Sequence, residues 1–243
     1  MVTENFTVKF AETEQEKNAA YALRYNDMLK EYRPELQNKS GLDITECDAY
    51  AKQVICIDNK NGEVVGCYRI ITTDLLPKNK NFVCESEFNI SALKKGKDKI
   101  AELSRAVIKK EYRNQAVLML LLRFIVQYLR QKEIRYIIGE ASFLGTDKNK
   151  LVNELSYLYH NYSITDMDIP SLEKEQIIPI ANEKLNKEEI KRNLPPLIRA
   201  YLSFGAKVSL QSFTDREFGS VDVFVLLDST AYNVEYLNRL LRI

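Results

Sequence analysis

The sequence has no tryptophan, one histidine, four cysteines, six prolines and eight glycines among its 243 residues. Cys47, Cys56, Cys67 and Cys84 contain no Cys-x-x-Cys pair, and His160 is the sole imidazole available to join them. That excludes a disulfide scaffold and predicts reduced thiols with no metal site. Low glycine and proline, with 45% hydrophobic and 28% charged residues, exclude collagenous and disordered chains. The longest apolar run, Ala116 to Leu122 resumed at Phe124 to Val126, falls short of the ~20 residues of a bilayer crossing and reads as a buried helix. Met1 to Phe10 alternates polar and apolar residues and lacks a basic-then-apolar leader, so a cytoplasmic location is expected. At this length folding buries roughly 70% of the extended chain's surface, and a single domain over 1–243 is expected.

Several common signatures are missing as well. There is no Gly-x-Gly-x-x-Gly, no Gly-x-x-x-x-Gly-Lys-Ser/Thr, no Gly-x-Ser-x-Gly and no His-Glu-x-x-His. Nucleotide hydrolysis and Ser-His hydrolysis drop out, and His160 reads as structural because no nucleophile accompanies it.

What is present is a strand at Phe6 to Phe10, a helix at Glu14 to Glu31, and a hairpin. The hairpin joins Gln53–Asp58 to Glu63–Thr73 through a two-residue primed turn at Asn61-Gly62. A strand at Lys99 to Ile108, a loop to Arg113, a cap at Asn114, a helix to Lys132 and a strand at Ile134 to Phe143 form a crossover unit with a parallel strand pair. A helix over Asp147 to Tyr162 follows, then a polar connector or lid at 163–193, a short helix at Leu197 to Phe204 and two strands, Ala206–Phe213 and Ser220–Leu227. An amphipathic tail helix ends the chain.

Charge is balanced overall, 35 basic against 34 acidic residues, but not locally. Arg105 to Arg135 holds eight basic and two acidic residues, a zone suited to an acidic partner or a phosphate. Arg69, Glu102 and Arg105 interrupt apolar strands, where an unpaired ion costs several kcal/mol, so each is paired, exposed or assigned to a ligand. Glu102 and Arg105 are three apart and face opposite ways in a regular strand. Either they have separate duties or a bulge turns both toward one cleft.

Leu23-Arg24-Tyr25, Asp48-Ala49-Tyr50, Val65 to Arg69, Glu102-Leu103-Ser104-Arg105, Tyr112-Arg113, Ala141 to Gly145, Leu155 to Tyr159 and Leu194 to Leu202 follow in a telling order. In that order they resemble the GNAT-fold N-acyltransferases of the hemolysin-like, ornithine-lipid-synthase group, which are related to acyl-homoserine-lactone synthases. The resemblance implies an α/β (α+β) GNAT-like fold: a mixed, mostly antiparallel central sheet, helices on both faces and a splayed parallel strand pair.

It also implies roles. Glu102 and Arg105 are expected as catalytic residues, Glu102 being the base that removes a proton from the acceptor amine. Arg24, Asp48, Arg69, Ser142 and Phe143 are expected to bind the substrate, the arginines as carboxylate forks and Asp48 as an ammonium partner. Val107, Lys109, Lys110, Arg113, Asn114 and Gln115 are expected at the acyl donor. The loop Glu111 to Ala116 lacks the glycines of a pyrophosphate cradle, which favours acyl-phosphopantetheine on acyl carrier protein over coenzyme A as co-substrate, with no tightly bound cofactor and no metal.

Three functional readings stay open: a fatty acyl transfer from acyl carrier protein to the α-amine of ornithine, glycine or a similar amino acid; a lactone synthase acting on S-adenosylmethionine; and a non-catalytic protein that binds through its basic face. Near-neutral charge and the lack of aromatics among the basic residues speak against nucleic acid. A hydrophobic product leaves room for weak peripheral contact with the inner membrane.

Overall fold

The computed structural model describes residues 1–36, 38–113 and 116–242, without the side chain of Arg242. Asn114 and Gln115, expected at the helix cap and the donor site, lie outside the described residues. The chain divides into two compact units, Met1–Asn81 with Ala101–Ile134 and Asn238–Ile243, and Phe82–Ile100 with Arg135–Leu237.

The first unit is built on four strands, β1 (Phe6–Phe10), β2 (Lys52–Asp58), β3 (Val64–Thr72) and β4 (Ile100–Ile108). They pair antiparallel in that order. Between β1 and β2 runs helix α1 (Glu14–Arg24), started by a reciprocal cap in which Thr13 accepts from the Glu16 amide and Glu16 accepts from Thr13. The expected helix to Glu31 departs from regular form at Tyr25–Leu29, which widens into a π-turn. Helix α2 (Ala116–Gln131) buries Val117, Leu120, Leu121, Ile125 and Leu129, spaced as one apolar stripe. The two helices cover opposite faces of the sheet. The Cys67 thiol reaches the Ala20 carbonyl of α1 at 3.9 Å, while Gly66, one residue earlier and on the other face, lies against Val117 and Leu121 of α2.

Gly66 is needed for that close approach, because a Cβ there would stand 2.7 Å from Val117 Cγ1 and 3.0 Å from Leu121 Cδ1. Gly66→Ala is therefore expected to lower unfolding free energy by about 1–3 kcal/mol, measured by urea titration. A fall of under a few tenths would show that α2 yields without cost.

The hairpin between β2 and β3 differs from the expected two-residue primed turn. Asn59 to Gly62 form a four-residue loop in which Gly62 alone takes a positive φ, +74°, and its amide donates to the Asp58 carbonyl at 2.8 Å. A bulge at Val65 resets the register, which a two-residue turn would not need.

The second unit carries β5 (Tyr136–Leu144), β6 (Lys207–Asp215) and β7 (Ser220–Asp228), with β7 antiparallel to both of the others. Its helices are α3 (Val152–Tyr162), α4 (Lys187–Asn193) and α5 (Pro196–Phe204), with Gly205 at φ +98° closing α5 in the left-handed conformation that glycine favours. The tail helix α6 (Val234–Arg242) sets the Tyr236 ring against Phe204 at 4.7 Å. The connector after α3 is pinned along its length: Ile164 donates to Val208, Leu172 to Glu87, Ile180 to the Ser156 hydroxyl, and Gln176 bonds the backbone of Ser212. Ile164, Ile169, Leu185 and Ile190 anchor it in apolar contacts. All strand pairs described within the units are antiparallel, in keeping with the expected class. β4 and β5, expected as a splayed parallel pair, fall in different units.

Candidate active site

The first unit resolves the Glu102–Arg105 spacing. Cys67 of β3 stands opposite Val107 and Arg69 opposite Ser104, so one residue of β3 faces two of β4, Arg105 and Ala106. Arg105 has φ +52°, the left-handed region, where a non-glycine residue costs about 1–3 kcal/mol. This bulge turns Arg105 onto the face that carries Ser104, and Glu102, two residues before Ser104 in regular strand, shares it. Opposite positions extend the face across the sheet through Arg69 of β3 to Gln53 of β2.

Arg24 and the loop after α1 lie over that face. The Arg24 guanidinium is fully buried and donates to Asp48 twice, Nη1 to Oδ1 at 2.8 Å and Nη2 to Oδ2 at 2.9 Å. Its Nε donates to Asp43 Oδ2 at 2.9 Å, and the Arg105 Nε donates to the same oxygen at 3.0 Å. Asp48 also accepts from the Thr45 amide at 2.8 Å and from Gln53 Nε2 at 2.9 Å. Arg69, buried like Arg24, donates to the Ser104 hydroxyl at 2.9 Å and to Thr45 Oγ1 at 2.7 Å, and lies 3.6 Å from Asp48. Burial opposes charge at Asp48, but the Arg24 bond, its charge and the Thr45 amide outweigh it and hold the carboxyl down to about 2. Burial works against Arg24 too, yet Asp48 and Asp43 raise its affinity for its proton. Arg69 is lowered by burial and by Arg105 nearby.

Thus Arg24, Asp48, Arg69 and Arg105, each expected at the site, are joined in one network, with Glu102, almost wholly buried, on the same sheet face. Arg24 and Arg69 place their donors on protein acceptors, whereas the Arg105 side chain keeps 24% exposure. Asp43, Thr45, Gln53 and Ser104 were not foreseen as participants. Thr45-x-x-Asp48 has the spacing of a reciprocal cap, a readable signal; Asp43 gave none.

The residues expected at the acyl donor are placed less uniformly. Val107 is buried opposite Cys67. Lys109 pairs with Glu63, the Lys110 amide donates to Asp27 at 3.0 Å, and Arg113 pairs with Glu31 at 2.8 Å while donating to the Ile108 and Asp27 carbonyls. Lys132 pairs with Asp74 at 3.1 Å. Much of the basic excess counted along the sequence is therefore offset by acidic residues distant in the chain but close in the fold. Ser142 and Phe143 lie on β5 in the second unit, opposite Asp222 and Val221 of β7, and Phe143 is buried.

Residues 23–123 match the acetyltransferase (GNAT) domain. Over 241 residues, 96% of this chain and 93% of the other, the sequence is 27% identical to L-ornithine N(alpha)-acyltransferase of Rhodobacter capsulatus. The fold resembles that of FeeM, an N-acyl amino acid synthase from uncultured soil microbes, at a TM-score of 0.53 and 12% identity, covering 95% of each chain. It also resembles an aminoglycoside 6'-N-acetyltransferase complexed with coenzyme A, at a TM-score of 0.50 and 12% identity over 91% of this chain and 96% of that one. The chain is a GNAT-fold enzyme. More particularly, it is an acyltransferase, which sets aside the reading of a non-catalytic binding protein. No helix among the described residues is long and apolar enough to cross a membrane.

Proposed function

We propose that the chain transfers a fatty acyl group from the thioester of acyl carrier protein to the α-amine of an amino acid, ornithine, glycine or a similar acceptor. The whole of 1–243 acts as one acyltransferase domain in this reading. The observation that carries it is the bulge at Arg105, which gathers a buried carboxylate, a hydroxyl and a partly exposed guanidinium on one face beside a rigid ionic frame. An N-acylation needs those groups: a base for the ammonium proton and a fork for the acceptor carboxylate.

Glu102 accepts a proton from the acceptor ammonium, directly or through a water. The freed amine attacks the thioester carbon, forming the C–N bond. The tetrahedral oxyanion then collapses, the C–S bond breaks, and the proton that the new C–N nitrogen sheds passes to the sulfur, which leaves as a thiol, while the proton taken by Glu102 is returned to solvent. Arg105 grips the acceptor carboxylate. Arg24, Asp48 and Arg69 hold Arg105 and Ser104 in place through Asp43 and Thr45 and do not themselves serve as the fork. Val107, Lys109, Lys110 and Arg113 belong to the donor side, where acyl carrier protein is favoured over coenzyme A because the loop before α2 has no glycine. Weak peripheral contact of the product-bearing enzyme with the inner membrane is part of the same reading.

Thiol release tests it, with acyl carrier protein and coenzyme A thioesters offered against a panel of amino acids and S-adenosylmethionine. Release that depends on an amino acid and is faster from the carrier protein is expected. Methylthioadenosine formation would assign a lactone synthase, and release from coenzyme A alone would overturn the choice of donor.

A further inference from the structure

The second unit holds a cluster that the acyl transfer leaves unused. Glu87, Asp215 and Asp222 each bring one carboxylate oxygen to within 4.8 Å of the others. Asp222 and Ser220 alternate on β7; Phe213 and Asp215 stand opposite them on β6, and Ser142 stands opposite Asp222 on β5, so these side chains share one face. Glu87 reaches the same face from the segment after the turn Val83–Ser86, where Leu172 donates to its carbonyl at 2.7 Å and Phe88 packs on Phe213 and Phe224.

Glu87 and Asp222 are 7% and 3% exposed. Buried Glu87 Oε2 and Asp222 Oδ1 have no hydrogen-bond partner. Neutral donors reach the cluster, the Ser220 hydroxyl to Asp222 Oδ2 at 3.0 Å, the Ser142 hydroxyl to Asp222 and the Phe218 amide to Asp215 Oδ1 at 2.7 Å, and the Glu87 carboxyl stands within hydrogen-bonding reach of those of Asp222 and Glu140. Among the described residues, none of the three forms an ion pair with a basic side chain. Glu140 adds a fourth carboxylate beside Glu87.

Converging buried carboxylates need positive charge, and a basic side chain does not supply it here. One proton shared by Glu87 and Asp222 would join two of the oxygens and leave Asp215, within 4.8 Å, without a compensating charge. A divalent ion neutralises two charges at once and takes an oxygen from each residue. We propose that Glu87, Asp215 and Asp222 form a binding site for a hard divalent cation in the second unit. All-oxygen ligation without His or Cys selects ions of the calcium and magnesium kind over zinc or copper. Calcium–oxygen distances of about 2.3–2.6 Å let two ligands on one ion stand up to about 5 Å apart, so separations within 4.8 Å bring the three oxygens to within a small side-chain adjustment of a common ion. Asp215, the less buried member, marks the side of entry, and the Ser220 hydroxyl is a further oxygen at hand. Bound there, the ion would tie the Glu87 segment to β6 and β7. The proposal uses no residue of the Glu102 face and does not depend on the reaction assigned to it.

Titrating Ca²⁺ and, separately, Mg²⁺ into the chelator-dialysed full chain tests it by calorimetry and thermal unfolding. Saturable binding of one ion per chain is expected, with a Tm that climbs with ion concentration. Glu87→Gln and Asp222→Asn, which keep side-chain shape, should each weaken binding at least about tenfold, since even losing a hydrogen bond behind a ligand costs that much. Absence of heat and of any Tm shift with either ion in the unaltered protein overturns the site, whatever the variants do. Binding that survives in both folded variants overturns it as well, by placing the ion elsewhere. Ion-independent unfolding together with a Glu87→Gln chain that gains stability at pH 8 would assign the cluster to a shared proton.

Discussion

Glu102→Gln is expected to lower kcat by about a hundredfold or more, with KM for the acyl donor changed by no more than about threefold. Glutamine keeps the shape and one carbonyl acceptor but has no anionic oxygen to take the ammonium proton. The position makes this a strong test: Glu102 is 1% exposed on a regular stretch of β4, and its face is continued by Ser104 and Arg105. Glu102→Asp, which keeps the carboxylate but withdraws it, should retain part of the rate and move the acid limb of the kcat/KM–pH profile. If Glu102 serves only to brace the strand, both variants will lose stability and rate together and the profile will stay where it was. A Gln variant within threefold of the unaltered rate removes Glu102 from the chemistry.

The largest effect on stability is expected from Arg24→Met, about 3–5 kcal/mol in urea unfolding, because the substitution takes from Asp43 and Asp48 the buried cation they share and leaves only the partly exposed Arg105 for the one and the more distant Arg69 for the other. An exposed pair would be worth under about 1 kcal/mol, so the size of the loss reports the burial. Arg24→Met with Asp48→Asn should recover part of it, since the amide has less need of a cation.

The pH dependence carries the same information. Asp48 titrates near 3.8 when the chain is unfolded and is held down to about 2 in the fold, where burial is outweighed by Arg24. Its contribution is therefore complete above about pH 4 and is lost as pH falls through about 2. Arg24→Met should flatten that part of the stability curve. A loss below about 1 kcal/mol with the acid slope intact would mean that the ion network is not what holds this loop to α1.

Strands and helices were readable where their periods were clean. The apolar run of α2, the alternation of β1 and the charge-interrupted strand β4 appear in the structure within two residues of their expected ends. The hairpin loop was misjudged because Asn-Gly signals a primed turn only when the flanking register closes on two residues; the bulge at Val65 shifts that register and leaves a four-residue loop. The helix expected through Glu31 hides a π-turn at Tyr25–Leu29, a change in winding that side-chain pattern does not encode. At the site, the charged residues inside apolar strands were conspicuous, but their partners were not. Asp43 and Gln53 are ordinary polar residues until folding carries them to Arg24 across 19 and 29 positions. The basic excess at Arg105 to Arg135 was misleading for the same reason, since Glu31, Glu63 and Asp74 come from elsewhere in the chain to offset it.

Residue order alone marks which side chains must solve an electrostatic problem, because a Glu or Arg within an apolar strand costs several kcal/mol wherever the strand packs. It also determined the two faces of each strand and the stripe of each helix, since those follow from fixed periods of the backbone. How the problem is solved comes from the folded sheet: a single left-handed residue at Arg105 shifts the strand's phase by one and puts Glu102, Ser104 and Arg105 on one side. That outcome depends on the register between β3 and β4, in which Arg69 meets Ser104 thirty-five positions further on, a balance of hydrogen bonds across the sheet that no local pattern records.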